Sequence, residues 1–262
     1  MQLIEILKAI ILGIVQGLTE FLPVSSSGHL VLVQKIFKIE EVLFLDTMLH
    51  AGTLVAVVFY FRKDILDILK KPWCKMTKML IIGTIPAGLA GLFLEDFIEK
   101  SFGGGYLGYG LLITGVIILI SARLALGKKT LKDMRYSDSV TIGAAQALAI
   151  LPGISRSGST IAAGLMCGFD RSFATRYSML LSIPVILGST IFQAKDVLEH
   201  GTGDVSFPAI VIGTIAAAVS GFFAINVLMK VLKRGKFKIF AFYVLILGIL
   251  VLIDQFFLNI IF

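Results

Sequence analysis

With 262 residues, 57% of them hydrophobic, and a mean hydropathy of +0.94, the chain is too apolar to be a soluble domain with a solvated surface. Its net charge of +7 does not point to nucleic acid, because the basic residues crowd into short loops between hydrophobic runs and act there as topology signals. Strand alternation is absent, which excludes a barrel, and Cys74 and Cys167 have neither a metal-ligand spacing nor the pattern of a disulfide framework.

In chain order, residues 3–22 form a first hydrophobic helix that carries Gln16 and Glu20 four residues apart, hence on one face. No basic region precedes it and no cleavage site follows, so it does not read as a signal peptide. A polar bend comes next, Leu22-Pro23-Val24-Ser25-Ser26-Ser27-Gly28-His29, within a stretch (24–39) too short and polar to span comfortably. Residues 3–39 therefore read as a re-entrant pair, two short helices that enter the membrane and come back out. Spans are predicted at 43–61, 79–94 and 106–122. A second set begins near Ser139, with helices at 140–151 and 157–168 flanking the bend Pro152-Gly153-Ile154-Ser155-Arg156-Ser157-Gly158-Ser159-Thr160. Further spans are predicted at 173–193, 207–228 and 239–261.

The two sets are one unit written twice. Ile82-Gly83-Thr84-Ile85 returns as Ile212-Gly213-Thr214-Ile215, and Gln16, Ser25, Ser27 and Gly28 return as Gln146, Ser155, Ser157 and Gly158, all at an offset of 130. The units are 1–130, with its re-entrant pair at 3–39, and 131–262, with its pair at 139–168. Loop charge sets their orientation. Residues 62–78 hold six basic and two acidic side chains, 122–138 five and two, and 230–238 five and none, whereas 95–100 and 195–204 each hold one basic and three acidic. The first three loops are expected in the cytoplasm and the other two outside. Lys63 then faces in while its counterpart Lys195 faces out, which makes the repeat inverted. The fold class is all-α and polytopic, an inverted-topology repeat whose halves each hold a re-entrant pair and three transmembrane helices. The polar tips are expected to meet near the midplane.

Polar groups inside a bilayer are costly, so those gathered at the tips carry chemistry or pair with one another. Arg156 and the backbone donors of the glycine-containing bend suit a phosphate, because a guanidinium fork matches two phosphate oxygens. Glu20 can hold a divalent cation or act as a base, His29 can pass a proton, and Ser26, three residues before His29, can serve as nucleophile. Gln16, Ser25, Ser27, Gly153, Ser155, Ser157 and Thr160 are the candidates for substrate contact. Glu20 is the candidate metal residue, for Mg²⁺ or Ca²⁺, with phosphates supplying the remaining ligands.

The run from Gln16 and Glu20 through His29, together with the stretch from Pro152 to Thr160, resembles the bacterial undecaprenyl-diphosphatase family, also called the bacitracin-resistance family. The resemblance covers both motifs, the inverted repeat and the length. It implies an inner-membrane enzyme that hydrolyses undecaprenyl diphosphate to undecaprenyl phosphate and inorganic phosphate, recycling the lipid carrier for peptidoglycan. It also implies a site opening to the outer face, a need for Mg²⁺ or Ca²⁺, and bacitracin resistance on overproduction, since bacitracin competes for the substrate. Glu20 matches the family's acidic catalytic residue, Ser26 the proposed nucleophile, His29 the catalytic histidine and Arg156 the phosphate-binding arginine. The first member of the acidic pair is Gln16 here, one carboxylate fewer for a metal. The attacking group is left open among Ser26, His29 and water, and a homodimer is left open as well.

The competing reading is a transporter or flippase of a polyprenyl phosphate or other anion, since inverted repeats with broken helices are carrier architecture. A carrier has less use for a hydroxyl, a proton shuttle and a carboxylate beside an arginine. Outside the motifs, His50 reads as a hydrogen-bonded packing residue and His200 as a solvated one. Asp46 and Arg176 read as paired or snorkelling border residues. Gly83, Gly88, Gly91, Gly213 and Gly221 read as close helix-packing positions. The run Gly103-Gly104-Gly105 reads as an outer loop.

Overall fold

Backbone placed in hydrocarbon must satisfy its own hydrogen bonds, and a helix does so within one segment. The structure, a computed structural model, describes residues 2–39, 43–93, 105–124, 127–200 and 205–262, and among these the regular elements are helical. They are α1 (Gln2–Phe21), α2 (Ser26–Ile36), α3 (Leu43–Tyr60), α4 (Arg62–Lys70), α5 (Lys75–Phe93) and α6 (Leu107–Leu124) in the first half. The second half holds α7 (Tyr136–Leu148), α8 (Arg156–Met166), α9 (Arg171–His200), α10 (Phe207–Lys233) and α11 (Lys238–Ile253), which runs into a π-helical turn at Asp254–Leu258. The acidic stretches 95–100 and 195–204, the glycine run 103–105 and the His200 side chain lie wholly or partly outside the described residues.

Six helices are long and apolar enough to cross a membrane: α1, α5, α6, α9, α10 and α11. The last five are among the expected spans. The first is longer than an arm of a re-entrant pair needs to be, because its 20 residues reach about 30 Å and its early turns have a packing partner in α10. The expected span at α3 runs on after a single residue into α4, which bends away from it by 75°, so the two form a broken span or a re-entrant pair. Residues 62–78 were expected as a basic loop, but Arg62–Lys70 coils into an amphipathic helix with Leu66 and Leu69 exposed among its charges. Such a helix suits a membrane surface. An ion pair between Asp64 of α4 and Arg176 of α9 fastens it to the second half.

The halves interlock. Both α1 and α3 pack on α10, while α7 and α9 pack on α5, and α3 meets α9 as α6 meets α11. Exchanging each helix for its counterpart at the 130-residue offset turns the first two contacts into the second two. Small residues allow the close approach. A Cβ on Gly13 would strike the Gly213 carbonyl, and one on Gly17 would strike Ser220 Oγ and the Ala217 carbonyl. Gly83, Gly213 and Gly221 are likewise packed, against Tyr177, Ala9 and Phe21 respectively. Gly88 and Gly91 are not: no described atom lies within 4 Å of a Cβ built there. The packed stripe of α5 runs through Met79, Gly83 and Ala87, which turns those two glycines away from the bundle.

Candidate active site

Each motif bend ends in a serine that starts a helix, because a side-chain oxygen can take a backbone N–H that has no intrahelical partner. Ser25 Oγ accepts from the Gly28 N–H at the start of α2 (3.3 Å), and Ser155 Oγ accepts from the Gly158 N–H at the start of α8 (3.1 Å). The second hydroxyl of each pair is close as well, Ser25 to Ser27 at 3.4 Å and Ser155 to Ser157 at 3.2 Å. The bends differ where the chain turns. In the first, Ser25 itself takes a φ of +71°, a strained conformation that costs a non-glycine residue about 1–3 kcal/mol. In the second, Gly153 carries the positive φ, +82°, where a side chain would also run into the Leu107 carbonyl.

The two bends touch. Ser157 Oγ donates to the Leu22 carbonyl (3.0 Å), and a Cβ on Gly158 would lie 3.4 Å from that of Pro23. From α6, Thr114 Oγ1 donates to the Gly153 carbonyl (3.1 Å) and accepts from the Ser155 N–H (2.9 Å). Thr160 folds back to donate to the Arg156 carbonyl (2.9 Å) and lies 2.6 Å from Ser178 Oγ on α9.

Glu20, at the end of α1, is where the halves join chemically. Its Oε1 accepts from Arg156 Nη2 at 2.6 Å; its Oε2 accepts from Ser26 Oγ at 2.7 Å and from Gln16 Nε2 at 3.0 Å. With only 7% of the carboxylate side chain and 13% of the arginine exposed, this is a charge pair withdrawn from solvent. One carboxylate thus gathers a guanidinium from α8, a hydroxyl from α2 and an amide from its own helix. Arg156 does not spend its fork on that bond, since Nη1 is buried without a hydrogen-bond partner, as is Gln16 Oε1. A buried, unspent guanidinium nitrogen is a donor set for an anion.

His29 stands one turn along α2 from Ser26. Its Nδ1 lies 2.8 Å from the Ser25 carbonyl, which can only accept, so that nitrogen carries a proton. Its Nε2 lies 2.7 Å from the Tyr243 hydroxyl of α11, and the two rings are stacked at 5.6 Å. The Ser26 hydroxyl is therefore paired with Glu20, and His29 is held by the bend backbone and Tyr243. Gln16, Glu20, Ser25, Ser26, Ser27, Gly153, Ser155, Arg156, Ser157 and Thr160 all lie in or directly beside this junction, with His29 on its α2 side.

His50 is hydrogen-bonded as expected, Nδ1 lying 2.9 Å from the Asp46 carbonyl, and Asp46 accepts from Gln34 (3.1 Å). Two contributors escaped the sequence reading. Tyr243 and Thr114 lie in hydrophobic runs outside both motifs, and the one available signal was a hydroxyl in a segment of otherwise nearly pure hydrocarbon.

A divalent cation would find limited protein ligation here. Among the described residues, no three His, Cys, Asp or Glu side chains gather into a metal cluster. The oxygens on offer are the Glu20 carboxylate and the unspent Gln16 Oε1. That set fits a cation that takes most of its ligands from phosphate and water.

Comparison with known proteins shows a match between residues 9–250 and the family model described as bacitracin resistance protein BacA. The chain is 47% identical over 255 residues to the undecaprenyl-diphosphatase of Halothermothrix orenii, covering 95% of this chain and 98% of that protein. It is 45% identical over 252 residues to the undecaprenyl-diphosphatase of Carboxydothermus hydrogenoformans, covering 95% and 97%. A protein of the same name from Methanosphaera stadtmanae is 42% identical over 274 residues, covering 96% and 98%.

Proposed function

The chain belongs to the bacitracin resistance protein BacA family, and from that premise we propose that it is a multi-pass membrane phosphatase. It hydrolyses undecaprenyl diphosphate to undecaprenyl phosphate and inorganic phosphate, returning the lipid carrier to envelope synthesis. The observation that carries the reading is the single carboxylate, Glu20, that receives both a would-be nucleophile, Ser26, and the phosphate-binding candidate, Arg156. A pure anion carrier needs the arginine but has no use for a hydroxyl poised on a buried carboxylate. In this reading the enzyme sits in the inner membrane with its site open to the outer face, as the family resemblance implies, and bacitracin competes with it for the substrate.

The diphosphate lies against the junction of the bends, its oxygens on Arg156 Nη1 and the hydroxyl of Ser27, while the prenyl tail leaves between helices into lipid. Glu20 accepts the proton of Ser26 Oγ as that oxygen attacks the terminal phosphorus. The bond from phosphorus to the bridging oxygen breaks, and undecaprenyl phosphate departs with the bond's electrons. Water then cleaves the serine phosphoester and restores Ser26. His29, oriented by the Ser25 carbonyl and Tyr243, carries a proton at the edge of the site. Arg156 stabilises charge moving onto the leaving phosphate. A Mg²⁺ or Ca²⁺ ion, held by Glu20 and Gln16 Oε1, would neutralise charge on the diphosphate.

The test is phosphate release from a long-chain polyprenyl diphosphate by purified protein in detergent, where transport cannot register as turnover. Release that stops with Arg156→Ala and with Ser26→Ala in folded protein supports the phosphatase. No release by the wild type across a range of divalent ions turns the reading to a carrier, and activity that persists in chelator removes the metal.

A further inference from the structure

Four of the six residues with buried, unpartnered side-chain atoms among the described residues lie around the two bends: Gln16, Gln146, Arg156 and Ser159. Gln146 stands out because both its amide oxygen and its amide nitrogen lack a partner, although the residue is only 1% exposed. Each polar group of a buried amide left without a partner opposes folding, so such groups are normally satisfied.

The repeat explains what is missing. Gln16, the counterpart of Gln146, gives its Nε2 to Glu20, but the residue at the same offset from Glu20 is Ile150. The second half kept the amide without a carboxylate to receive it. His29 is similarly replaced by Ser159, whose hydroxyl is also unpartnered, and Ser26 by Arg156, whose Nη1 is unspent. The second-half set therefore offers the Gln146 Nε2 amide and the Ser159 hydroxyl as donors beside one positive charge, with no acid among those positions.

These groups share a level. α7 and α8 run antiparallel across a short bend, and a Cβ on Gly164 would lie 3.8 Å from Ile142 Cδ1. One turn toward the bend on each helix sets Gln146 beside Thr160, next to Ser159 and one turn from Arg156. Gln146 extends from the stripe Ser139, Ile142 and Gly143, which is the buried face of α7. These residues stand at the N-terminal end of α8, where Ser155 Oγ takes the Gly158 N–H and the helix dipole favours negative charge.

We propose that Gln146, with Ser159 Oγ and Arg156 Nη1, forms a phosphate subsite on the second-half side of the Glu20–Arg156 pair. Its ligand is a tetrahedral phosphate group, either the terminal phosphoryl of the lipid diphosphate or the inorganic phosphate released from it. This deepens the phosphatase reading and rests on it for the identity of the lipid. The subsite itself needs only an oxyanion.

The experiment uses the full chain in detergent with Gln146→Leu and Gln146→Glu. It reads the shift of melting temperature with added inorganic phosphate, and kcat and KM on a polyprenyl diphosphate. Gln146→Leu removes two unsatisfied groups at similar volume, so it is expected to melt at or above the wild type. It is expected at the same time to lose the phosphate-induced shift and to raise KM at least about tenfold, the worth of one hydrogen bond to a charged group. A merely structural glutamine would not separate stability from binding in this way. A lost shift with unchanged KM assigns the subsite to the product, and a raised KM with the shift intact assigns it to the lipid. If both variants keep the shift and the KM, the subsite is overturned and Gln146 is a packing residue. Should Gln146→Leu fail to fold, Gln146→Glu decides, since its carboxylate keeps the shape and repels phosphate. Wild-type protein that binds phosphate through Gln146 but releases none from lipid would sink the phosphatase and leave the subsite standing.

Discussion

Replacing Arg156 with methionine removes the partner of Glu20 Oε1 and leaves a carboxylate, with 7% of its side chain exposed, that keeps its hydrogen bonds from Ser26 and Gln16 but no guanidinium. Breaking a buried pair from one side typically costs about 3–5 kcal/mol, because the remaining charge stays desolvated. For a chain of this size that corresponds to about 6–20 °C in melting temperature. Glu20→Gln in the same protein removes the stranded charge, so the double variant Glu20→Gln, Arg156→Met is expected to recover most of the loss. Activity is expected to behave otherwise, falling at least about 10²–10³-fold in Arg156→Met and staying there in the double variant. The assay is a double-mutant cycle, with thermal unfolding in detergent followed alongside phosphate release. Arg156→Met melting with the wild type, or a double variant no more stable than either single one, would refute the claim that this pair joins the halves.

Ser26→Ala is expected to abolish turnover while changing the melting temperature little, since Glu20 keeps its arginine and Gln16; residual activity within about tenfold of wild type would make water the attacking group. Tyr243→Phe removes the hydroxyl 2.7 Å from His29 Nε2 and is expected to lower kcat severalfold with KM nearly unchanged, which steady-state kinetics on the purified protein will show. Gly17→Ala puts a methyl against Ser220 and the Ala217 carbonyl and is expected to cost about 1–3 kcal/mol by overpacking. Gly88→Ala, with no described atom within 4 Å, is expected to be neutral or stabilising by up to about 1 kcal/mol, and equal melting of the two variants would contradict the packing.

The two motifs were legible because they concentrate hydroxyls, a guanidinium and glycine in a chain where such groups are costly, and the repeat doubled the signal. The amphipathic α4 was harder to see. Its five charged residues out of nine read as topology, and the spacing of Ile65, Leu66, Ile68 and Leu69 that makes a helix was hidden among them. Composition likewise could not separate Gly83 from Gly88. Both stand in one hydrophobic helix, and only the position of α7 and α9 decides that the first meets Tyr177 while the second meets no described atom.

By itself the sequence determined the class of molecule, the order of its helices and the residues able to handle a phosphate, because hydropathy and side-chain chemistry are local properties. The tertiary structure decided which of those residues act together. Arg156 and Glu20 lie 136 residues apart, and the approach of α1 to α10 and the contact of the two bends bring them to 2.6 Å. It also decided that Ser26 turns to Glu20 while His29 turns to Tyr243, and that Gln146 has no acid to meet. Partner choice of that kind depends on how helices pack, and no run of adjacent residues encodes it.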